Sequence, residues 1–130
     1  MLNIKNISKT YNDANESILV FNDLSLSIDE GTIVSIMGKS GSGKSTLLNL
    51  IGGLMKPDAG QIFINNNTYN YNKYFSKFRL QTFGYIFQNH NLLPEFTVKE
   101  NILLPTIIKS KENKIDEVVK YLDMFNMKKY

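Results

Sequence analysis

Cysteine is absent from the 130 residues, which excludes disulfides and thiolate-ligated zinc or iron-sulfur sites. Arginine is nearly absent too. Arg79 stands alone, and the other basic side chains are lysines scattered along the chain. With 15 basic against 12 acidic residues, the formal net charge is +3. That balance gives no dense arginine-bearing stripe to face a duplex, so no nucleic-acid partner is expected. No apolar run approaches the roughly 18 residues that a membrane span needs. The start, Met1-Leu2-Asn3-Ile4-Lys5, alternates apolar and polar residues instead of leading into the apolar stretch of a signal peptide. A cytoplasmic chain is expected, with any membrane link made through a partner. What is present is ordinary: 42% hydrophobic and 21% charged residues, near globular averages. The chain is long enough to bury about two-thirds of the surface that its unfolded form exposes.

Leu2, Ile4 and Ile7 suggest a first strand, and Leu24, Leu26 and Ile28 a second on a two-residue period. From Thr32 to Met37 the run is β-branched and apolar on both faces, which predicts a strand covered on two sides in a parallel sheet. It leads directly into glycine. Beyond the loop, Thr46 to Ile51 carries leucines at helical spacing and stops at Gly52-Gly53. Lys56 to Gly60 reads as a turn, Gln61 to Ile64 as a short strand, and the asparagine-rich stretch Asn65 to Asn72 as a solvated loop or hairpin tip. Tyr74, Phe75 and Phe78 sit at helical spacing, and Phe83 to Phe87 reads as a second buried strand ending at Gln88. Thr97 with Glu100 matches a capping box, predicting a helix that is bent or ended near Pro105. A further helix is expected from about Glu112 to Met124, with Ile115, Val118, Val119 and Leu122 on one face.

Gly38-Lys39-Ser40-Gly41-Ser42-Gly43-Lys44-Ser45 fits G-x-x-x-x-G-K-[ST], the phosphate-binding loop. Glycines let successive backbone N–H groups turn toward phosphate oxygens that side chains would push away, and the following helix points its positive end at the same anion. Lys44 has the reach for the β- and γ-phosphates, and the Ser45 hydroxyl is placed to ligate Mg²⁺. Four fixed positions arise by chance in about 0.4% of chains this long. The flanking strand and helix patterns make chance a poorer explanation still.

The loop alone does not say which NTPase this is. Gly38 to Thr46, followed by Leu47-Leu48-Asn49-Leu50-Ile51-Gly52-Gly53-Leu54 and Lys56-Pro57-Asp58-Ala59-Gly60-Gln61-Ile62, resembles the ATP-binding subunit of ABC transporters. Phe87-Gln88-Asn89-His90-Asn91-Leu92-Leu93-Pro94-Glu95-Phe96-Thr97-Val98-Lys99-Glu100-Asn101-Ile102 resembles that family's Q-loop and the helix after it. Ser8-Lys9-Thr10-Tyr11 is similar to the segment whose aromatic side chain stacks on adenine. The wording around Leu92-Leu93-Pro94, with Pro105 further on, is most similar to the lipoprotein-releasing and macrolide-export branch.

The resemblance implies an α/β fold. It would comprise an incomplete RecA-like P-loop NTPase core, an antiparallel β subdomain and the start of a helical subdomain, with residues 1–130 forming the N-terminal portion of one ATP-binding domain. It implies ATP and Mg²⁺ as cofactors. Tyr11 becomes the adenine platform and Gly38, Lys39, Ser40, Gly41, Ser42, Gly43, Lys44, Ser45 and Thr46 the phosphate cradle. Catalytic roles fall to Lys44 and Gln88, and metal contacts to Ser45 and Gln88. His90 reads as a loop residue. The implied partners are a transmembrane permease subunit or domain and a second ATP-binding subunit in an ATP-sandwich dimer, at the inner face of the cell membrane.

The family also uses a serine-glycine-glycine signature, a Walker B strand ending in aspartate and glutamate, and a switch histidine. No glycine follows Gly84. Asp29-Glu30 precedes the phosphate loop, and Asp116-Glu117 lies in a helical pattern. The expectation is therefore a truncated chain that binds Mg·ATP weakly, hydrolyses little of it alone, and leaves core strands and helix faces exposed. The alternative is a non-hydrolytic nucleotide-binding or interaction module docking on a membrane partner. A third reading, an unrelated P-loop kinase or GTPase, is disfavoured on the expectation that no guanine-specifying N-K-x-D pattern is present, and it leaves the Gln88 segment unexplained.

Overall fold

Strand pairing follows the alternation of apolar residues. The computed structural model describes residues 1–14, 16–69, 71, 75–110 and 114–127. In it, β1 (Leu2–Asp13) and β2 (Glu16–Ile28) run antiparallel, from Leu2 opposite Ile28 to Asp13 opposite Glu16. β3 (Ala59–Ile64) pairs antiparallel with the other edge of β1, and β4 (Asn67–Thr68) follows it, giving the order β2-β1-β3-β4. The period of two brings Ile4 opposite Ile62, both buried, with Ile7 buried in the same first unit. Asn65 and Asn66, at φ 47° and 65°, make the two-residue turn between β3 and β4. Asparagine tolerates that left-handed geometry, which hairpins favour because it matches strand twist. The expected hairpin tip is thus found at Asn65–Asn66, while Asn70 and Asn72 lie outside the described residues.

Residues Met1–Phe75 form one compact unit and Ser76–Tyr130 another. In the first, α1 (Lys44–Ile51) buries Leu47 and Leu50. It ends where the sequence predicts, at Gly52-Gly53. Gly53 takes φ 68°, its N–H bonds the Leu50 carbonyl at 3.1 Å, and the Leu54 N–H bonds the Asn49 carbonyl at 2.8 Å. That pair of bonds satisfies carbonyls that the helix leaves open. The buried Tyr69 donates its hydroxyl to the Ile51 carbonyl at 2.5 Å. Its ring packs on Phe75, centroid to centroid 5.4 Å.

Two expected strands are not formed. Thr32–Met37 joins no ladder among the described residues, and its side chains are open: Ile33 is fully exposed and Met37 is 87% exposed. Phe83–Phe87 joins none either, with Ile86 fully exposed. The reason is that a parallel core strand has no stability of its own. Its hydrogen bonds and both covered faces come from neighbours distant in sequence, and the four-stranded sheet present here is antiparallel and built from other segments.

In the second unit, α2 (Phe75–Thr82) continues from Phe75, where the spacing of Phe75 and Phe78 predicts a helix; Tyr74 lies outside the described residues. Phe78, Phe83, Tyr85 and Phe87 form a chain of ring contacts, the last pair stacked at 5.6 Å. α3 (Val98–Ser110) opens on the expected capping box: the Thr97 N–H donates to Glu100 Oε2 at 2.8 Å, and the Glu100 N–H to Thr97 Oγ1 at 3.2 Å. The helix does not end at Pro105, however, but runs on to Ser110. Proline removes one backbone donor at a cost of about 3 kcal/mol. That cost is offset by packing. Leu103 is buried with Val118 and Leu122 of α4 (Ile115–Met124), and Val98 and Ile115 pack against them. The Thr106 hydroxyl also bonds the Leu103 carbonyl at 2.6 Å. The expected start of the last helix, Glu112, lies outside the described residues. Among the described residues no helix is long and apolar enough to cross a membrane.

Candidate functional site

The segment from Gly38 to Gly43 departs from regular structure because its glycines take backbone angles that most other residues adopt only at a cost. Gly41 and Gly43 sit at φ 79° and 88°, left-handed values that cost an L-side chain roughly 1–2 kcal/mol. They have different surroundings. A Cβ on Gly41 would meet nothing within 4 Å, whereas one on Gly43 would lie 2.7 Å from Val20 Cγ1 and 3.0 Å from Phe21 Cζ. Gly43 therefore lets β2 approach the loop, and Gly41 leaves the cradle open.

Gly43 is also the N-cap of α1, with no side-chain cap and no acidic residue in the first turn. The N–H groups opening a helix lack intrahelical acceptors, and together with the helix dipole they favour an anion. The Lys44 ammonium donates to the Gly38 carbonyl at 2.9 Å and to the Lys39 carbonyl at 2.6 Å. It is folded onto its own loop, not directed into bulk solvent. An ammonium has three donors, so one remains beyond those two bonds.

Above the loop is a cavity of about 460 Å³ lined by Ser40, Gly41, Gly43, Lys44, Ser45, Thr46, Tyr11, Ile18 and Val20. That volume falls in the range of small-molecule sites, about 300–1,000 Å³. Six of the nine expected cradle residues line it. Gly38 and Lys39 instead supply the carbonyls that hold Lys44, and the Ser42 N–H bonds back to the Lys39 carbonyl at 3.3 Å. Tyr11 arrives from β1, 33 positions away from Lys44 in the chain, and its hydroxyl lies 3.2 Å from Thr46 Oγ1 and 3.3 Å from Met55 Sδ. Gln88 belongs to the second unit, exposed in the bend Gln88–Asn89, and His90 is likewise exposed beside it.

Sequence reasoning missed three contributors. Ile18 and Val20 line the cavity, and the signal was available: they are two apart, so they share one face of a strand. Asn101 had no such signal. Its side chain accepts from the Leu93 N–H at 2.8 Å and donates to the carbonyls of Leu93, Phe96 and Thr97 at 3.0 Å each. It thereby holds the loop between the Gln88 bend and α3. The expectation that no guanine-specifying N-K-x-D pattern is present is wrong, because Asn113-Lys114-Ile115-Asp116 spells it. Asn113 lies outside the described residues; Lys114 is the N-cap of α4, with Nζ 3.4 Å from Glu117 Oε1, Ile115 packs on the helix cluster, and Asp116 lies in the first turn of α4.

The donor set suits Mg²⁺. Among the described residues no group of three or more His, Cys, Asp or Glu side chains could hold a metal, so an ion here would draw on neutral oxygens, phosphates and water. Magnesium binds in that manner with few protein ligands. The Ser45 hydroxyl borders the cavity and is an oxygen of that kind.

The family profile described as "ABC transporter" matches residues 21–130. "Lipoprotein-releasing system ATP-binding protein LolD" of Rickettsia bellii is 45% identical over 114 residues, covering 88% of this chain and 50% of that protein. The LolD of Rickettsia typhi is 41% identical over 131 residues, covering 99% and 58%. Among solved structures, the dimeric post-hydrolysis state of the ATP-binding cassette MJ0796 bound to ADP and Pi superimposes with a TM-score of 0.85 at 40% identity. The match covers 95% of this chain and 56% of that one. The chain spans about half the length of the curated relatives it matches. With a G-x-x-x-x-G-K-[ST] loop opening α1, a partial P-loop NTPase fold and a profile match over most of its length, this chain belongs to the ABC transporter family, among its ATP-binding cassettes.

Proposed function

We propose that the chain is the nucleotide-binding part of an ABC transporter subunit of the lipoprotein-releasing type, which takes Mg·ATP into the cavity between Tyr11 and the phosphate loop. The observation that carries this is the common lining of one cavity by Tyr11 from β1 and by Lys44, Ser45 and Thr46 from the start of α1. A base placed against the Tyr11 ring and Ile18 would leave its phosphates toward Gly41, Gly43 and the open end of the helix. Lys44 would exchange its hold on the Gly38 and Lys39 carbonyls for the terminal phosphates. Charged partners make stronger hydrogen bonds than neutral carbonyls, which favours the exchange. Mg²⁺, held by the Ser45 hydroxyl at the edge of the cavity, would supply charge neutralisation to the phosphates.

Partners follow from the same reading. Leu92, Leu93 and Phe96 are exposed on the loop that Asn101 braces, a firm apolar surface where a transmembrane permease could take up movement of the Gln88 region. A second ATP-binding subunit would close over the nucleotide, as dimers are recorded for MJ0796. We assign the site to the cytoplasmic side of a membrane, reached through that permease. The 130 residues contain no glycine after Gly84, hence no glycine signature, and by themselves they bind ATP while turning it over slowly or not at all.

Equilibrium dialysis with labelled ATP and Mg²⁺ tests the binding. One saturable site is expected, weakened about 10- to 100-fold in Lys44→Ala, the worth of a hydrogen bond to a charged group. Phosphate release should stay at background. Unchanged binding in Lys44→Ala, or rapid turnover by these residues alone, overturns the proposal.

A further inference from the structure

The proposed base platform, Tyr11, stands where its strand keeps ladder support on one side alone, opposite Ile18 of β2. β1 is paired with β3 only as far as Ser8 opposite Ala59. Against β2 its register shifts between Ile7 and Lys9 and again between Lys9 and Thr10. The residues immediately before Tyr11 are therefore irregular on one side and unpaired with β3 on the other. The backbone groups that such a stretch leaves out of a ladder need other partners.

Asp58 does so. One carboxylate oxygen accepts from the Thr10 N–H at 2.7 Å, and the other accepts from the Lys9 ammonium at 2.7 Å. The Asp58 N–H donates to the Ser8 carbonyl at 2.9 Å. Three successive residues of β1 are thus held by one residue, in the turn that leads into β3. The Lys9 side chain is only 14% exposed, so its charge depends on this partner more than a surface lysine's would. The hydrogen bond from Lys9, then that from Thr10, holds the Asp58 carboxyl below its ordinary pKa. It is ionised at neutral pH. Neither Asp58 nor Lys9 lines the cavity; Tyr11 does.

The geometry points to Asp58 as the positioning residue of the base platform: it fixes the last turns of β1 so that the Tyr11 ring faces the cavity, and it thereby sets affinity for the base and not for the phosphates. This rests on the reading of Tyr11 as the platform. Hydrogen bonds from Asp58 end one residue short of Tyr11. The phosphate cradle is held by its own bonds, from Lys44 to Gly38 and Lys39 and from α1 to the loop.

The test compares ATP with inorganic tripolyphosphate, which has the phosphates and no base, by calorimetric titration of four proteins: wild type, Asp58→Ala, Tyr11→Ala and the double variant. Asp58→Ala is expected to weaken ATP about 3- to 10-fold, the worth of one aromatic contact, with tripolyphosphate affinity unchanged. Tyr11→Ala should show the same selective loss, and the double variant should lose no more than Tyr11→Ala alone, the sign of two residues acting through one contact. If Tyr11→Ala weakens ATP but Asp58→Ala does not, the positioning role is refuted while the platform stands. If Asp58→Ala weakens both ligands equally, Asp58 supports the fold generally and the inference fails. If Tyr11→Ala leaves ATP binding intact, the platform reading itself fails, and the inference with it. Should Asp58→Ala lose its circular dichroism spectrum, Asp58→Asn replaces it. Its amide oxygen can still accept from Thr10, so a smaller but still selective loss is expected, and an unselective loss or none overturns the proposal.

Discussion

Gly41 and Gly43 share a left-handed backbone but differ in what surrounds them, so Gly41→Ala and Gly43→Ala separate two costs that are usually confounded. Each places a methyl group at positive φ, which costs about 1–2 kcal/mol. At Gly41 nothing else is added, because the space beside it is open to 4 Å. At Gly43 the new carbon would lie 2.7 Å from Val20 Cγ1 and 3.0 Å from Phe21 Cζ, so β2 or the start of α1 must shift. Overpacking of that kind adds about 1–3 kcal/mol. The expected loss of stability is therefore about 1–2 kcal/mol for Gly41→Ala and about 2–5 kcal/mol for Gly43→Ala. Urea unfolding followed by circular dichroism measures both. ATP affinity should order the variants differently, since Gly41 borders the cavity and the added methyl group would take up space proposed for phosphate, although this substitution destabilises the fold less. Equal destabilisation by the two substitutions would refute the packing of β2 against Gly43. Unimpaired ATP binding by Gly41→Ala would refute the placement of phosphate there.

Three further expectations concern the second unit and acid stability. Thr97→Ala removes the reciprocal cap of α3 and should cost about 0.5–2 kcal/mol, read by thermal unfolding. Leu122→Ala hollows the cluster of Leu103, Val118 and Leu122 and should cost about 2–5 kcal/mol, with protease sensitivity rising in α3 and α4. Glu100 and Asp58 are both held below their ordinary pKa values of 4.5 and 3.8, the first by hydrogen bonds from Thr97 and the second by those from Lys9 and Thr10. A carboxylate with a depressed folded pKa stabilises above its unfolded pKa, and that contribution fades as pH falls toward the folded value. Stability should thus drop on acidification below about pH 4.5, and the drop should be shallower in Glu100→Gln; an unchanged acid limb in that variant would count against the cap.

The features legible in the sequence were those that depend on neighbours in the chain. The Thr97–Glu100 box and the halt of α1 at Gly52-Gly53 are each written within a few residues and each is found as read, and the glycines of the loop take the left-handed backbone their spacing suggests. Thr32–Met37 and Phe83–Phe87 were read as buried strands because their composition suits one, but composition cannot supply the partner strands on which burial depends. Pro105 reads, from its local chemistry, as a residue that bends or ends the helix, and the helix does not end there. Packing of Leu103 against α4 outweighed it. Tyr11 was singled out by resemblance alone, because only the pairing of β1 with β2 carries it to the cavity where Ile18 and Val20 wait on their strand. The bracing of the loop by Asn101 depends on side-chain bonds across as many as 8 positions, a pattern with no periodicity to reveal it.

The location of bound nucleotide is the most direct test of the whole account, and amide and aromatic NMR shifts on titration with Mg·ATP would report it residue by residue. The account predicts saturable changes at the amides of Gly41 to Thr46 together with the Tyr11 ring. Changes confined instead to the separate cavity of about 340 Å³ bordered by Lys56, Gln61, Thr68 and Tyr69, or saturation with the loop amides unmoved, would contradict it.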